Sequence, residues 1–231
     1  MELDKVVNGV SIAFRDAPWM VVIMLEAGMC SGFCIAPEWV ATAGHCVRDA
    51  VVATVLGGME RVNSDGWVWK ESTDALHVME DGSDIGLIRL SMNECSAFLR
   101  WDHDRYEALE TPGTHLQVTG YGDDMDVGNG AVENPDYLLL RRGNVVVLDP
   151  KQFDYMVQLN TTTMMLADGS ETSDPVTDTC RGDSGGPMYD VNGLVVGITS
   201  WGIGCGHAQF PGVYTKMSQC VSWIRSIIMG S

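Results

Sequence analysis

Basic residues are scarce in this sequence. Its 231 residues include 14 lysines and arginines against 31 aspartates and glutamates, which gives a net charge of −17. Nucleic-acid binding needs a positive surface that neutralises phosphates, so we expect no nucleic-acid partner. The acidic balance favours solubility and basic partners, but it carries no information about the fold.

Long apolar runs are also missing. The apolar run at 19–25 is far shorter than the roughly 18 residues that a membrane-spanning helix needs, and it fits a buried strand. We therefore expect no contact with a membrane. The hydrophobic fraction of 45% is nonetheless ordinary for a folded protein with a real core.

Metal-binding spacings are absent from the cysteine pattern. Cys30 and Cys34 have no second closely spaced pair of cysteines or histidines nearby, so we expect no metal site. The cysteines number seven, an odd count, so at least one of them cannot form a disulfide within the chain.

Helical periodicity is rare, whereas turn signals are frequent. Glycine-containing and proline-containing turns separate short runs of β-branched or aromatic residues along most of the chain. This pattern is typical of an all-β sandwich or barrel, and Asn192-Gly193 is its clearest hairpin turn. The one convincing helix comes last, where Val221, Ile224 and Ile228 fall on one helical face.

Three short strings carry the candidate chemistry. They are Thr-Ala-Gly-His-Cys around His45, Asp-Ile-Gly-Leu-Ile beginning at Asp84, and Gly-Asp-Ser-Gly-Gly-Pro around Ser184. Glycines beside a serine suit a nucleophile on a tight turn, because they leave room for a substrate carbonyl and let N–H groups converge on an oxyanion. Each string alone is weak, since lone histidines and glycine-rich turns are usually structural.

Together, in the order histidine, aspartate, serine, the strings resemble those of the trypsin and chymotrypsin family of serine proteases. The resemblance runs from about residue 6 to the terminal helix. It implies an all-β fold of two six-stranded antiparallel β-barrels with a C-terminal helix. The N-terminal barrel would cover about 6–105 and the C-terminal barrel about 106–231, after a pro-segment or expression leader at 1–5. It also implies a monomer that needs no cofactor.

The resemblance assigns a role to each residue of a catalytic triad. Ser184 is the nucleophile, His45 the general base, and Asp84 the acid that orients the histidine. The backbone N–H groups of Gly182 and Ser184 form the oxyanion hole. The loop after Gly57 lacks the acids of the family's calcium loop, so we expect no calcium.

The specificity pocket follows from the same resemblance. Asp178 lies six residues before Ser184, at the position that floors the pocket in the family, and an acid there resembles trypsin. Substrates should then be proteins or peptides with Arg or Lys before the scissile bond, and protein protease inhibitors should also bind. Alternatively, Asp178 is one more acid in an acidic loop. The other pocket residues by resemblance are Ser200, Trp201, Gly202 and Gly212.

Arg181 stands at the pocket rim, where the family commonly has a neutral residue. We expect it to favour acidic residues near the scissile bond, although a solvated surface cation is the simpler interpretation.

The segment Val-Val-Asn-Gly at 6–9 resembles the family's mature amino terminus. In the family, cleavage before this segment frees an ammonium group that pairs with the acid preceding the nucleophile, here Asp183. Lys5 precedes Val6, so a protease with an acid in its pocket could make this cleavage itself. The chain as written is then a zymogen, unless residues 1–5 are only an expression leader.

Two family disulfides are implied by the resemblance. They join Cys30 to Cys46, beside the histidine, and Cys180 to Cys205, beside the pocket. Disulfides persist in oxidising compartments, so we expect a secreted, extracellular protein.

Two further family bridges are missing, because Leu116 and Leu166 stand where cysteines are usual, and Phe153 stands where the partner of the second should be. Three cysteines remain: Cys34, Cys95 and Cys220. A bridge between the first two stays open at this point.

Two other functions fit part of the pattern. In α/β hydrolases the acid and histidine follow the serine, as Asp190 and His207 follow Ser184, but that fold needs alternating strands and helices. A catalytically silent relative usually lacks a triad residue or the oxyanion glycine, and none is missing here. We therefore expect an active serine endopeptidase, in either a digestive or a regulatory role.

Overall fold

A computed structural model describes residues 6–26, 28–61, 67–72, 75–104, 106–122, 139–153, 159–173 and 175–230. Within these ranges most regular structure is strand. The strands of the first half are β1 (Val10–Ser11), β2 (Met20–Leu25), β3 (Gly28–Ala36), β4 (Trp39–Thr42), β5 (Val52–Gly57), β6 (Trp67–Ser72), β7 (Leu76–Val78) and β8 (Gly86–Arg89). Those of the second half are β9 (His115–Gly120), β10 (Arg141–Leu148), β11 (Met164–Asp168), β12 (Pro187–Tyr189), β13 (Val195–Trp201) and β14 (Gly212–Lys216).

The helices in the described part of the chain are short. They are α1 (Gly44–Val47), α2 (Tyr106–Leu109) and α3 (Val221–Ile228), with 3₁₀ turns at Phe14–Asp16, Pro150–Gln152 and Met217–Gln219. None of these helices has the length and apolar character needed to cross a bilayer. The terminal helix has the extent that its periodicity predicts, with Ile224 on its buried face.

The first sheet is a curled antiparallel half-barrel in the order β6-β5-β2-β3-β4-β8-β7. The apolar run predicted as a buried strand forms β2 near its middle, where Met20 to Ile23 are all buried. β2 pairs with β3 from Met20 opposite Phe33 to Leu25 opposite Gly28. Consecutive residues point to opposite faces of the sheet, so both faces of this stretch are covered, which explains why the run has no polar face.

The second sheet closes into a six-stranded barrel. Its order is β10-β11-β14-β13-β12-β9, and β9 pairs back onto β10, while β1 extends β10 at the side. The Asn192-Gly193 turn connects β12 to β13 as predicted, with Gly193 at a φ of +74° that favours glycine. The predicted all-β fold is confirmed, with one closed six-stranded barrel and one curled half-barrel, and the α/β-hydrolase alternative is wrong. The boundary near residue 105 stays a prediction.

One continuous apolar core spans both sheets. Phe33 and Trp39 of the first half lie in the same buried cluster as Ile198 of β13 and Ile224 of α3. Each fully buried side chain of this size contributes about 1.5–3 kcal/mol. The shared core therefore fixes the two sheets, and the loops at their junction, relative to each other.

Apolar packing stands where one of the family's missing disulfides would be. Leu166 is fully buried against Leu148 and Val213, and Phe153 packs on the same small cluster. Phe153 and Leu166, the two positions of that bridge, are thus held by side-chain contact.

Candidate active site

The pairing of β4 with β8 brings His45 and Asp84 together. Thr42 at the end of β4 lies opposite Gly86 at the start of β8. The chain leaves β4 into α1, which carries His45, while Asp84 comes just before β8. The His45 Nδ1 atom lies 2.8 Å from Asp84 Oδ2, and the His45 backbone N–H donates to Asp84 Oδ1 at 2.7 Å.

The second sheet also holds Asp84. The Ser200 hydroxyl on β13 donates to Asp84 Oδ2 at 2.5 Å, and the Thr215 hydroxyl on β14 donates to the Asp84 carbonyl at 3.0 Å. Burial acts to raise the pKa of Asp84, but the hydrogen bonds and charge of His45 and the bond from Ser200 outweigh it. The net effect lowers the pKa, so the acid is ionised at neutral pH.

Backbone hydrogen bonds hold the turn that presents Ser184. The Ser31 N–H of β3 donates to the Ser184 carbonyl at 2.9 Å, and the Gly185 N–H donates to Thr199 O at 2.8 Å. Gly185 has a φ of +83°, and a Cβ there would lie 2.1 Å from the Thr42 hydroxyl. Only glycine fits this close approach, so the string around the serine follows from the contact between the two sheets.

The N–H groups of Gly182 and Ser184 have no hydrogen-bond acceptor among the described residues. Gly182 has a φ of +88°, and its carbonyl accepts the Ser31 hydroxyl at 2.8 Å. This hydrogen bond holds the carbonyl group of the peptide that joins Gly182 to Asp183. An oxyanion hole needs two such N–H groups, one from the serine itself and one from the residue two positions before it.

Asp183 is buried directly behind the Ser184 turn. Its carboxylate accepts the Gly122 N–H at 2.8 Å and the Cys180 N–H at 2.9 Å. A Cβ on Gly120 would lie 2.0 Å from Asp183 Oδ1, and one on Gly122 would lie 2.4 Å from its Cγ. Both glycines of the Gly-Tyr-Gly string are therefore required by the close approach of this acid.

Asp178 is buried at the base of the loop that leads to Ser184. Its carboxylate accepts the Thr179 N–H at 2.8 Å and the Gly206 N–H at 3.1 Å. Burial, above all, raises the pKa of Asp178 to about 7, and the nearby acids Asp168 and Asp183 add to the effect, while the two N–H bonds oppose it. No cation acts on this carboxyl among the described residues.

A cleft of about 870 Å³ connects these groups. It is lined by His45, Asp84, Ser184, Met164, Thr179, Cys180, Arg181, Thr199, Ser200, Trp201, Gly202, Gly204, Cys205 and Gly212. Asp178 lies behind this wall: a Cβ on Gly212 would come within 2.9 Å of its Oδ1. A side chain at position 212 would therefore press against the Asp178 carboxylate.

The amino-terminal segment lies against the same loop. Val6 is fully buried, and Val7 forms an antiparallel bridge with Asp178, whose N–H donates to Val7 O at 3.2 Å. The Asn8 side-chain amide donates to Val176 O at 2.7 Å. Lys5 lies outside the described residues.

Three disulfides cross-link the chain: Cys30–Cys46, Cys34–Cys95 and Cys180–Cys205. The first and third are the predicted pairs, and the second is the one that the sequence left open. The seventh cysteine, Cys220, is a buried free thiol.

A single candidate metal cluster occurs in the described part of the chain: His45 with Cys30 and Cys46. Both sulfurs of this cluster are joined in a disulfide, so neither can be a thiolate ligand.

Comparison with known proteins agrees with this geometry. Residues 6–224 match the family model described as Trypsin. This chain belongs to the trypsin family. It is 31% identical to Trypsin I-P1 of Gallus gallus over 96% of this chain and 89% of that protein, and 30% identical to Anionic trypsin of Canis lupus familiaris over 97% and 90%. Trypsin of Xenopus laevis is 29% identical over 97% and 91%.

As a trypsin-family member, the protein is a serine endopeptidase that acts on protein or peptide substrates. Three residues that support this site were not predicted from the sequence: Ser31, Thr42 and Thr215. Each is a buried hydroxyl on a strand. Ser31 and Thr215 bond residues 151 and 131 positions away, and Thr42 bonds the Ser31 carbonyl on the neighbouring strand. Only their burial sets them apart from other strand residues, and a sequence motif carries no such signal.

Proposed function

We propose that this trypsin-family protease cleaves after Arg or Lys by a Ser184–His45–Asp84 triad, once its amino terminus has been freed. The observation that carries the specificity is Asp178, a buried carboxyl group at the base of the cleft without a cation beside it. A buried carboxylate is stabilised by a cationic partner, and an Arg or Lys side chain entering past Gly212 supplies one.

In the proposed mechanism, Ser184 Oγ attacks the scissile carbonyl carbon while His45 accepts the hydroxyl proton. The carbonyl oxygen becomes an oxyanion and accepts hydrogen bonds from the Gly182 and Ser184 N–H groups. His45 then gives its proton to the leaving amine, and the acyl-enzyme is hydrolysed by water through the same steps. Asp84 fixes the Nδ1–H tautomer and stabilises the imidazolium; its bond from Ser200 supports that role.

The remaining cleft residues would position the substrate. Ser200, Trp201 and Gly202 form the end of β13 and its exit, and the substrate backbone would align there as an added strand. The Trp201 side chain is 45% exposed and offers an apolar surface to the residues before the cleaved bond.

The specificity is tested with Asp178→Ser, assayed on matched peptides with Arg, Lys or Phe before the scissile bond. We expect loss of Arg and Lys cleavage by at least about a hundredfold, the size of an unpaired buried charge, with the fold intact. Asp174→Ser, which removes another acid four positions earlier in the sequence, is the control and should retain activity. Unchanged arginine-ester hydrolysis by Asp178→Ser contradicts the pocket assignment.

Activation is proposed to occur by cleavage after Lys5. The new ammonium of Val6 would pair with Asp183, and the contacts of Val7 and Asn8 with the pocket loop support a link between this segment and the pocket. Mass spectrometry of the active enzyme should find Val6 as its first residue. Full activity with Met1 still attached refutes the switch.

Arg181 lines the cleft and carries a positive charge beside Ser184. We propose that it favours acidic residues near the scissile bond. A peptide-library profile of the protein and of Arg181→Gln tests this: the preference for Asp and Glu should disappear in the variant. The same profile in both proteins leaves Arg181 as a solvated cation.

The proposed setting is extracellular, with a monomeric enzyme that protein protease inhibitors can block. Three disulfides favour an oxidising compartment. Alkylation of protein isolated from its native source, followed by mass analysis, should find six of the seven cysteines oxidised. Reduced thiols at these positions contradict secretion.

A further inference from the structure

Three carboxyl groups are buried at the base of the site: Asp168, Asp178 and Asp183. Their residues are exposed by 0%, 2% and 1%, respectively. The proposed function supplies a cation for two of them, because the substrate side chain would pair with Asp178 and the freed amino terminus with Asp183. Asp168 has no such counterpart, and the resemblance to the family gives it no role.

One oxygen of Asp168 has no hydrogen-bond partner among the described residues. Oδ1 accepts the Ser170 N–H at 2.8 Å and the Ser170 hydroxyl at 2.5 Å. Oδ2 is buried and has no partner in the described part of the chain. Buried polar atoms are nearly always hydrogen-bonded, and an unpaired one destabilises the fold by about 1–3 kcal/mol or more when charged. Such an atom calls for a functional explanation.

The backbone places Asp168 beside Asp178. Asp168 is the last residue of β11, and the next N–H, that of Gly169, donates to Thr177 O at 2.7 Å. Asp168 and Asp178 are the residues immediately outside this bond, so they lie on adjacent backbone segments. The proximity is electrostatic as well, since the charge of Asp168 acts on Asp178.

The groups around the two acids are acidic or neutral. Asp178 interacts electrostatically with Asp168, Asp183 and the hydroxyl group of Tyr214 on β14. Asp168 interacts in the same way with Glu171. Among the described residues, no Lys, Arg or His acts on either carboxyl group. Positive charge therefore has to come from outside this part of the chain.

We propose that Asp168 is a specificity-determining residue that acts through Asp178, as a second buried negative charge that the Arg or Lys side chain of the substrate compensates. This inference rests on the proposed Arg and Lys specificity and deepens it. In the empty site the charge of Asp168 opposes ionisation of Asp178. An entering cation interacts with both carboxyl groups, so its binding drives Asp178 to release its proton.

The order in which the two acids ionise determines whether Asp168 weakens or strengthens cation binding at a given pH. Burial, above all, and the charge of Glu171 raise the pKa of Asp168, while the bonds from Ser170 oppose them. The charge of Asp168 in turn helps raise the pKa of Asp178 to about 7. Asp168 thus ionises first, and it disfavours cation binding near neutral pH by keeping Asp178 protonated. At alkaline pH, where both are ionised, it favours binding.

The test is calorimetric binding of benzamidine between pH 5.5 and 9, where its amidinium stays charged. Asp168→Asn removes the charge with almost no change of shape. We expect the variant to bind benzamidine about two- to threefold more tightly near pH 6, because a nearby like charge shifts a pKa by about one unit and the lost attraction to the cation offsets part of that gain. Above about pH 8 it should bind more weakly, so that the two pH profiles cross.

Glu107→Gln is the matched control, because it removes one charge from an exposed position and Glu107 is not among the groups that shift the pKa of Asp168 or Asp178. Solvent screens that charge, so its profile should follow that of the unmodified protein. If Asp168→Asn does not fold, Ser170→Ala replaces it: loss of the hydroxyl bond makes Asp168 protonate more readily, and its profile should move toward tighter binding near pH 6.

A crossing of the two profiles supports the inference. Weaker binding by the same factor at every pH means that Asp168 is only structural, and it overturns the proposal, as do identical profiles. Failure of the underlying Arg and Lys specificity looks different, because the unmodified protein would then bind no benzamidine at any pH.

Discussion

Asp84, which is partly buried, and Asp178, which is buried, are two acids of one site, and their pKa values are shifted in opposite directions. Asp84 accepts bonds from His45 and Ser200, which outweigh burial and lower its pKa. Asp178 receives only backbone N–H groups and has other acids nearby, so burial raises its pKa to about 7. The difference lies in the partners: Asp84 has its partners within the protein, whereas the proposed specificity gives Asp178 a partner from the substrate.

The two acids affect stability with opposite signs. Asp84 contributes stability above its ordinary pKa, and this contribution is lost as the pH falls through its lowered folded-state value. Asp178 opposes folding, because its charged form is disfavoured in the native state. That destabilisation is absent below about pH 4 and is complete above about pH 7.

The largest expected effect is the loss of kcat when Asp84 is replaced. Asp84→Asn keeps the shape but removes the charge, so His45 adopts the wrong tautomer and cannot accept the Ser184 proton. We expect kcat to fall about 10⁴-fold, the size known for this substitution in serine-protease triads, with little change in KM. Stopped-flow or steady-state kinetics measures this; a fall below tenfold means that Asp84 does not orient the histidine.

Two disulfides, one in each half, should separate stability from binding. We expect the double serine variant of Cys34 and Cys95, which are 61 residues apart, to lose about 4 kcal/mol of unfolding free energy with KM unchanged. The Cys180 and Cys205 pair, 25 residues apart, should lose about 3.5 kcal/mol and also raise KM, because both line the cleft. Urea unfolding and kinetics test this, and equal KM values for the two variants contradict it.

The thermal stability of Asp178→Asn tests whether the charge of Asp178 destabilises the native state. Since the charged carboxylate destabilises the native state, the variant should melt about 5 °C higher at pH 8 and no higher at pH 4. Calorimetry at the two pH values measures the difference. An increase of the same size at both pH values points to packing instead of charge.

The smallest effect concerns the free thiol. Burial, above all, raises the pKa of Cys220, and its thiol donates to Lys216 O at 3.4 Å. A maleimide should therefore not label the native protein at pH 8, but should add once per chain after unfolding in urea with the disulfides intact. Labelling of native protein contradicts the burial of this residue between the two halves.

The sequence predicted the candidate catalytic groups better than the residues that hold them in place. The three strings, their order and the two expected disulfides are local patterns, and the family match, the strands and the bridges agree with them. The Cys34–Cys95 bridge stayed open because spacing alone does not determine which cysteines meet. Ser31 escaped notice because a serine in a strand looks the same whether or not it bonds Gly182.

Local patterns in the sequence predict the chemical groups of the site, their order along the chain and the all-β fold class, because short motifs and strand periodicity are local properties. The tertiary structure decided what surrounds each group. The register of β4 against β8 sets His45 beside Asp84, and β13 brings Ser200 to the same acid. The unpartnered oxygen of Asp168 likewise depends on which strands enclose it. Burial and charge environment arise from distant residues, so only the folded chain fixes the pKa values on which the proposed specificity depends.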